Sequence, residues 1–174
     1  GLRVGGVVSH NLQFMEALAT LNIYSCVSGP IQYLMAELLT DSMFCDTLLQ
    51  TSRQRLWASY QICEQKLQEM VLPYVPAVAG MFVYVDFSSL LPEATPVWEE
   101  TFSNLVFVHA RIVMTPGNSQ KDSRPGFFRI CYAWVTPSQL AIAMERLSRL
   151  VGKVRRLDWD DLNERTLSHV LDVE

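Results

Sequence analysis

The 174-residue sequence has no cysteine pair at C-x-x-C spacing, no histidines at ligand spacing, no basic face and no apolar run long enough to cross a membrane. Each absence removes a class of function. Cys26, Cys45, Cys63 and Cys131 lie far apart among apolar neighbours, so a zinc or redox motif is excluded and no metal site is expected. On one helix, Cys45 and Cys63 would lie about 27 Å apart at roughly 1.5 Å per residue, too far to bridge each other. The thiols read as free and buried, which places the chain in a reducing cytoplasm. His10, His109 and His169 show no local ligand or triad pattern. A formal charge of -4 with scattered Lys and Arg argues against a nucleic-acid partner. Without a span or a basic n-region, neither a membrane protein nor a secreted one is indicated.

The chain is rich in apolar residues: 49% are hydrophobic and only 18% charged, enough for a substantial core in one domain. It opens without Met on Gly1-Leu-Arg3-Val-Gly5, which reads as the inside of a strand, so the chain is expected to be cut from something longer. Phe14, Leu18 and Leu21 recur at helical spacing, and Ile31, Leu34, Leu38 and Leu39 resume the pattern after a break at Gly29-Pro30. Asp41 or Ser42 caps a long third helix striped by Phe44, Leu48, Leu56, Tyr60, Cys63, Leu67 and Met70. Gly80 to Asp86 reads as a buried strand, Thr95-Pro96 as a helix start, Arg111 to Thr115 as a second strand and Asn118 to Pro125 as a polar loop. Thr136-Pro-Ser-Gln139 opens a last helix with a capping box. The expected class is α/β, an α+β small domain in which helices flank a small sheet. Its body runs from residue 12 to residue 152, and residues 153–174 form a charged extension.

Two arginines stand out. Arg129 is one cation in an otherwise apolar strand, placed directly after the rigid Pro125-Gly126 turn. Arg3 lies between glycines and apolar residues at the other end. A planar fork that cannot lose its charge is suited to a carboxylate or phosphate. For one arginine alone, a salt bridge to an acid of the chain is the commoner outcome. Arg124 lies near enough in sequence to compete with Arg129 for a carboxylate.

Five segments stand in order: Gly1-Leu-Arg3-Val-Gly5; Val27-Ser28 with Gln32-Tyr-Leu; the long helix; Ala79 to Asp86; and Thr115 to Ser119 followed by Pro125 to Ala133. Together they resemble the C-terminal part of fold-type I pyridoxal-phosphate enzymes, most closely the 1-aminocyclopropane-1-carboxylate synthase-like branch of the class I/II aminotransferases. The resemblance implies pyridoxal 5'-phosphate as cofactor, with Arg3 on its phosphate and Arg129 on the substrate's α-carboxylate. It places the Schiff-base lysine a few residues before Arg3, upstream of Gly1, so no catalytic residue is expected in this chain and the chain alone is expected to be inactive. Lys66, Lys121 and Lys153 read as surface residues. Residues 1–11 would then be a remnant of the large cofactor-binding domain and 12–152 the small domain. For a synthase, the implied substrate is S-adenosylmethionine, with ring closure and loss of methylthioadenosine. An aminotransferase would share the same carboxylate grip, and a non-catalytic binding or interaction module keeping the fold is the alternative of another class. A homodimer completed by the N-terminal part is implied for the whole protein. The helices from Phe14 to Leu39 are expected to expose apolar surface and drive self-association of this chain.

Overall fold

The computed structural model describes residues 4–157. Contacts divide the chain into two compact units, Gly1–Ser52 and Arg53–Glu174.

In the first unit, helix α1 spans Leu12–Asn22 and helix α2 spans Gly29–Thr40. The Asn11 side chain caps α1 by accepting from Phe14 N at 3.1 Å. Ser28 precedes α2, where Pro30 occupies the first turn without losing a needed donor. Asp41 accepts from Phe44 N at 2.9 Å at the start of the long helix α3, Ser42–Glu69. No residue of α1 or α2 is buried, and Leu12, Tyr24 and Tyr33 are among the apolar side chains left exposed.

The second unit is built on a four-stranded antiparallel sheet. Its strands are β1 (Tyr74–Val75), β2 (Phe82–Asp86), β3 (Thr115–Pro116) and β4 (Phe127–Cys131), in the order β1-β2-β4-β3. Period-2 alternation splits the central pair. Val83, Val85, Phe128 and Ile130 turn inward, while Tyr84 and Arg129 sit opposite each other on the other face. The inward face shares one core with Cys63 and Leu67 of α3, with Phe102 of helix α4 (Pro96–Leu105), and with Leu140, Met144, Leu147 and Val151 of helix α5 (Pro137–Val154). Phe87, Phe102 and Phe128 form an aromatic knot with centroids 5.3 to 5.6 Å apart. Burial pushes the Cys63 thiol up to about 12, consistent with an inert packing residue.

The expected α5 start is present in full: Thr136 Oγ1 accepts from Gln139 N, and the Gln139 side chain accepts from Thr136 N. Two expectations are corrected. Arg111 to Thr115 is not a strand, because α4 continues as a wide turn over Val106–Ala110 and Arg111 closes it in the left-handed region at φ 55°. Only Thr115 and Pro116 reach β4. Cys26 is exposed and Cys45 and Cys131 are only partly buried, so of the four thiols expected to be buried only Cys63 is, whereas all four cysteines are free as expected. Among the described residues no helix is long and apolar enough to cross a membrane, and no cluster of metal-ligating side chains forms. The charged extension lies outside the described residues beyond residue 157, as does Arg3.

The exposed apolar side chains of α1 and α2 predict that the 174-residue chain self-associates. Light scattering over a concentration series should show apparent mass rising with concentration; a strictly monomeric mass would contradict this.

Candidate functional site

Arg129 lies in the middle of the sheet, paired in register with Tyr84 on one side and Thr115 on the other. Its guanidinium carbon stacks 4.3 Å over the Phe82 ring. Nη2 reaches Thr115 Oγ1 at a long 3.4 Å, and Nε is buried without a hydrogen-bond partner among the described residues. No ion pair to Arg129 forms among them. A half-buried cation in that state lacks the acceptor its fork requires.

The space in front of Arg129 is an open cleft of about 570 Å³, lined also by Phe82, Tyr84 and the loop residues 120–123. That volume is within the usual range for small-molecule sites. The loop is held at both ends by one side chain. Glu99, in the first turn of α4, is only 3% exposed, and its two carboxyl oxygens accept from Asn118 N at 3.3 Å and Gly126 N at 2.7 Å. Gly126 has no substitute at this closure. Its φ is +93°, and an added Cβ would lie 2.7 Å from the Ser88 Cα.

Inside the loop, Asp122 settles the competition raised by Arg124. Arg124 donates through Nε at 3.0 Å and Nη2 at 2.8 Å to the two Asp122 oxygens, and its guanidinium also lies 4.1 Å from the Phe127 ring centre. Arg124 is therefore satisfied within the loop and leaves Arg129 to another acceptor. Tyr84 Oη donates to Asp122 Oδ2 at 2.8 Å, which ties the loop to β2. The Arg124 guanidinium, with its backbone N–H and the Tyr84 hydroxyl, holds the Asp122 carboxyl well below the usual carboxylate range. Burial, and then the bond to Asp122, push Tyr84 up to about 12. Gly117 permits this approach, since a Cβ there would meet Tyr84 Oη at 2.6 Å.

Of the two arginines singled out by the sequence, Arg129 thus lines a cleft and Arg3 lies outside the described residues. Of the three lysines, Lys121 is exposed on the loop, and Lys66 is partly covered by ion pairs to Glu69 at 2.7 Å and Glu145 at 3.1 Å. Glu99 escaped sequence reading. Its one local signal is an acid in the first turn of a helix, a position that also suits a solvated residue.

Residues 1–147 match the family model for aminotransferase class I and II. The chain belongs to that family. Among curated proteins, 1-aminocyclopropane-1-carboxylate synthase 11 of Arabidopsis thaliana is 28% identical, over 92% of this chain and 36% of its own length. The 1-aminocyclopropane-1-carboxylate synthase of Nicotiana tabacum is 31% identical, over 87% and 31% respectively. The chain therefore spans about a third of the curated relatives it matches. In fold it resembles the α-aminoadipate aminotransferase LysN of Thermus thermophilus, with a TM-score of 0.72 and 21% identity over 89% of this chain and 39% of that one. It also resembles the aromatic aminotransferase of Pyrococcus horikoshii, with a TM-score of 0.64 and 24% identity over 73% and 32%. The expected fold is thus that of fold-type I aminotransferases. Aminotransferases and 1-aminocyclopropane-1-carboxylate synthases of this family use pyridoxal 5'-phosphate.

The loop anchors generate two predictions. Glu99→Gln replaces one acceptor with a donor facing a backbone N–H, so denaturant unfolding should show a loss of about 1–3 kcal/mol; wild-type stability would contradict the clamp. For Asp122, a depressed folded pKa means that its contribution is present above the ordinary carboxylate range and lost as pH falls. Tyr84, raised to about 12, contributes fully below its ordinary value and loses that contribution as pH rises through about 12. The Tm difference between wild type and Asp122→Asn should therefore be flat around neutrality and shrink below about pH 4; a difference that grows in acid would refute the pairing.

Proposed function

We propose that Arg129 grips the α-carboxylate of an amino-acid substrate in a pyridoxal-phosphate enzyme of the 1-aminocyclopropane-1-carboxylate synthase-like branch. The observation that carries this is the buried Arg129 Nε without an acceptor among the described residues, beside a cleft of substrate size. A carboxylate seated there would satisfy two parallel donors of the fork and would find Phe82 fixing the plane of the guanidinium. The residue of this chain for the cofactor phosphate is Arg3, and Lys66, Lys121 and Lys153 take no part. When bound, pyridoxal phosphate supplies an electron sink for charge developing at the substrate's Cα. Arg129 supplies orientation: with the carboxylate fixed, one Cα substituent is presented for chemistry and the others are held away. Loop 120–123, tied by Tyr84 and flanked by the Glu99 clamp, forms one wall of the cleft.

In this reading, residues 1–11 belong to a large cofactor-binding domain and 12–152 form the small domain, with 153–174 as an extension. The whole protein is a cytoplasmic homodimer whose N-terminal part completes the site, and this chain alone is inactive. S-adenosylmethionine is the proposed substrate, favoured by the curated synthases that the chain is similar to. The second reading is an aminotransferase, favoured by the fold neighbours.

The test uses the longest natural form of the protein, loaded with pyridoxal phosphate. Arg129→Ala should raise KM for the amino-acid substrate by about 100-fold or more, and Arg129→Lys should recover part of it. An unchanged KM in Arg129→Ala would overturn the assignment. Release of methylthioadenosine from S-adenosylmethionine supports the synthase, and oxo-acid formation supports the aminotransferase. A protein that takes up no cofactor would instead be a binding module.

A further inference from the structure

A second concave surface of the Arg53–Glu174 unit lies away from the residues that line the Arg129 cleft. It is a groove of about 810 Å³ between the end of the wide turn after α4 and the outer face of α5. Arg111, Arg146, Arg149, Lys153 and Arg156 line it, and no acid among the described residues does. The four from Arg146 onward recur at steps of three, four and three, so α5 and the turn after it present them as one stripe, a local basic face where the scattered Lys and Arg of the sequence predict none. The opposite face of α5 is the buried one, carrying Leu140, Met144, Leu147 and Val151.

Arg149 meets Glu145 at 3.4 Å, whereas Arg111, Arg146 and Arg156 form no ion pair among the described residues. Their neighbour Arg155 behaves differently, donating Nη2 to the Met70 carbonyl at 2.6 Å. Arg111 adds an independent sign. It is held in the left-handed region at φ 55°, a conformation that non-glycine residues adopt only where the surroundings impose it, and its side chain lines the groove. Gathering these cations on one concavity carries a cost in mutual repulsion that a bound anion relieves.

We propose that this groove binds a small oligophosphate anion. Its volume suits a small molecule, and the chain's negative charge elsewhere disfavours a nucleic acid. Three guanidinium forks without an ion pair among the described residues are suited to phosphate groups, each of which offers several acceptor oxygens. Five cationic side chains on one concavity favour a multiply charged phosphate chain over a monoanion. The groove shares no lining residue with the Arg129 cleft, so this proposal stands apart from the carboxylate assignment.

The experiment is calorimetric titration of the full 174-residue chain with inorganic tripolyphosphate, and separately with ATP, at low and at physiological salt. Saturable one-site binding that weakens with salt is expected. The variant R146Q/R149Q/R156Q changes only exposed side chains and should weaken binding at least about tenfold, while R53Q, at an exposed arginine that lines neither concavity, should leave it unchanged. As a second variant, Arg111→Gly keeps the left-handed backbone and removes one fork, and it should also weaken binding. Equal affinity for the two probes would mean that the phosphate chain alone is read; tighter ATP binding would mean that a nucleoside is seated as well. Absence of saturable binding, or binding that survives in the triple variant, would overturn the proposal.

Discussion

Two backbone amides, one near each end of the loop between β3 and β4, donate to the same buried carboxyl group, that of Glu99. The geometry of the Arg129 cleft depends on this clamp. Glu99 is deep enough to reach both amides because α4 starts there, with Thr95 capping it and Phe102, further along the same helix, packed against Phe87 and Phe128. Its place in the first helical turn puts its oxygens at the positive end of the α4 dipole. The same contact holds Gly126 against Ser88, and Phe87 N in turn donates to the Gly126 carbonyl at 2.8 Å. One side chain therefore couples helix, sheet and loop around the cleft.

Charge distribution carries the functional argument at both concavities. The second unit satisfies several of its cations internally: Lys66 by Glu69 and Glu145, Arg124 by Asp122, Arg155 by the Met70 carbonyl. Exposed pairs of this kind add little stability, yet they show that acceptors are supplied where the fold can supply them. Against that background, Arg129 and three of the groove arginines, Arg111, Arg146 and Arg156, form no ion pair among the described residues. Arg129 is partly desolvated between Phe82 and Thr115, where an unmet guanidinium donor is costly, and an incoming anion gains what the fold forgoes. The groove arginines are exposed, so their attraction is weaker individually and rests on number.

Local chemistry made the helices and Arg129's strand legible. Asp41, Thr95-Pro96 and Thr136-x-x-Gln139 are short-range signals for helix starts, and the structure places a helix at each. Phe82 to Asp86 was readable from β-branched and aromatic residues, and Arg129 stood out as one cation in an apolar strand. Non-local features were not legible. The β-branched run after Arg111 looked like a strand, but most of it finds no partner strand, and only Thr115 and Pro116 meet β4. Arg111's left-handed turn has no glycine or asparagine to announce it. Glu99 and Asn118 are 19 residues apart, and Lys66 and Glu145 are 79 apart, so neither contact has a sequence pattern. Asp122 and Arg124, two residues apart, were within reach of sequence reasoning, because an acid beside Arg124 is a nearer partner for it than any ligand.

The central claim is that the Arg129 fork faces a carboxylate from outside the chain. The most direct measurement is a crystal structure of the longest natural form with pyridoxal phosphate and a bound amino-acid substrate or inhibitor. The account predicts both terminal guanidinium donors, or Nε and one of them, at about 2.7–2.9 Å from the two carboxylate oxygens, with Glu99 still bridging Asn118 and Gly126. An Arg129 paired with an acid of the protein, and the ligand carboxylate held elsewhere, would contradict it.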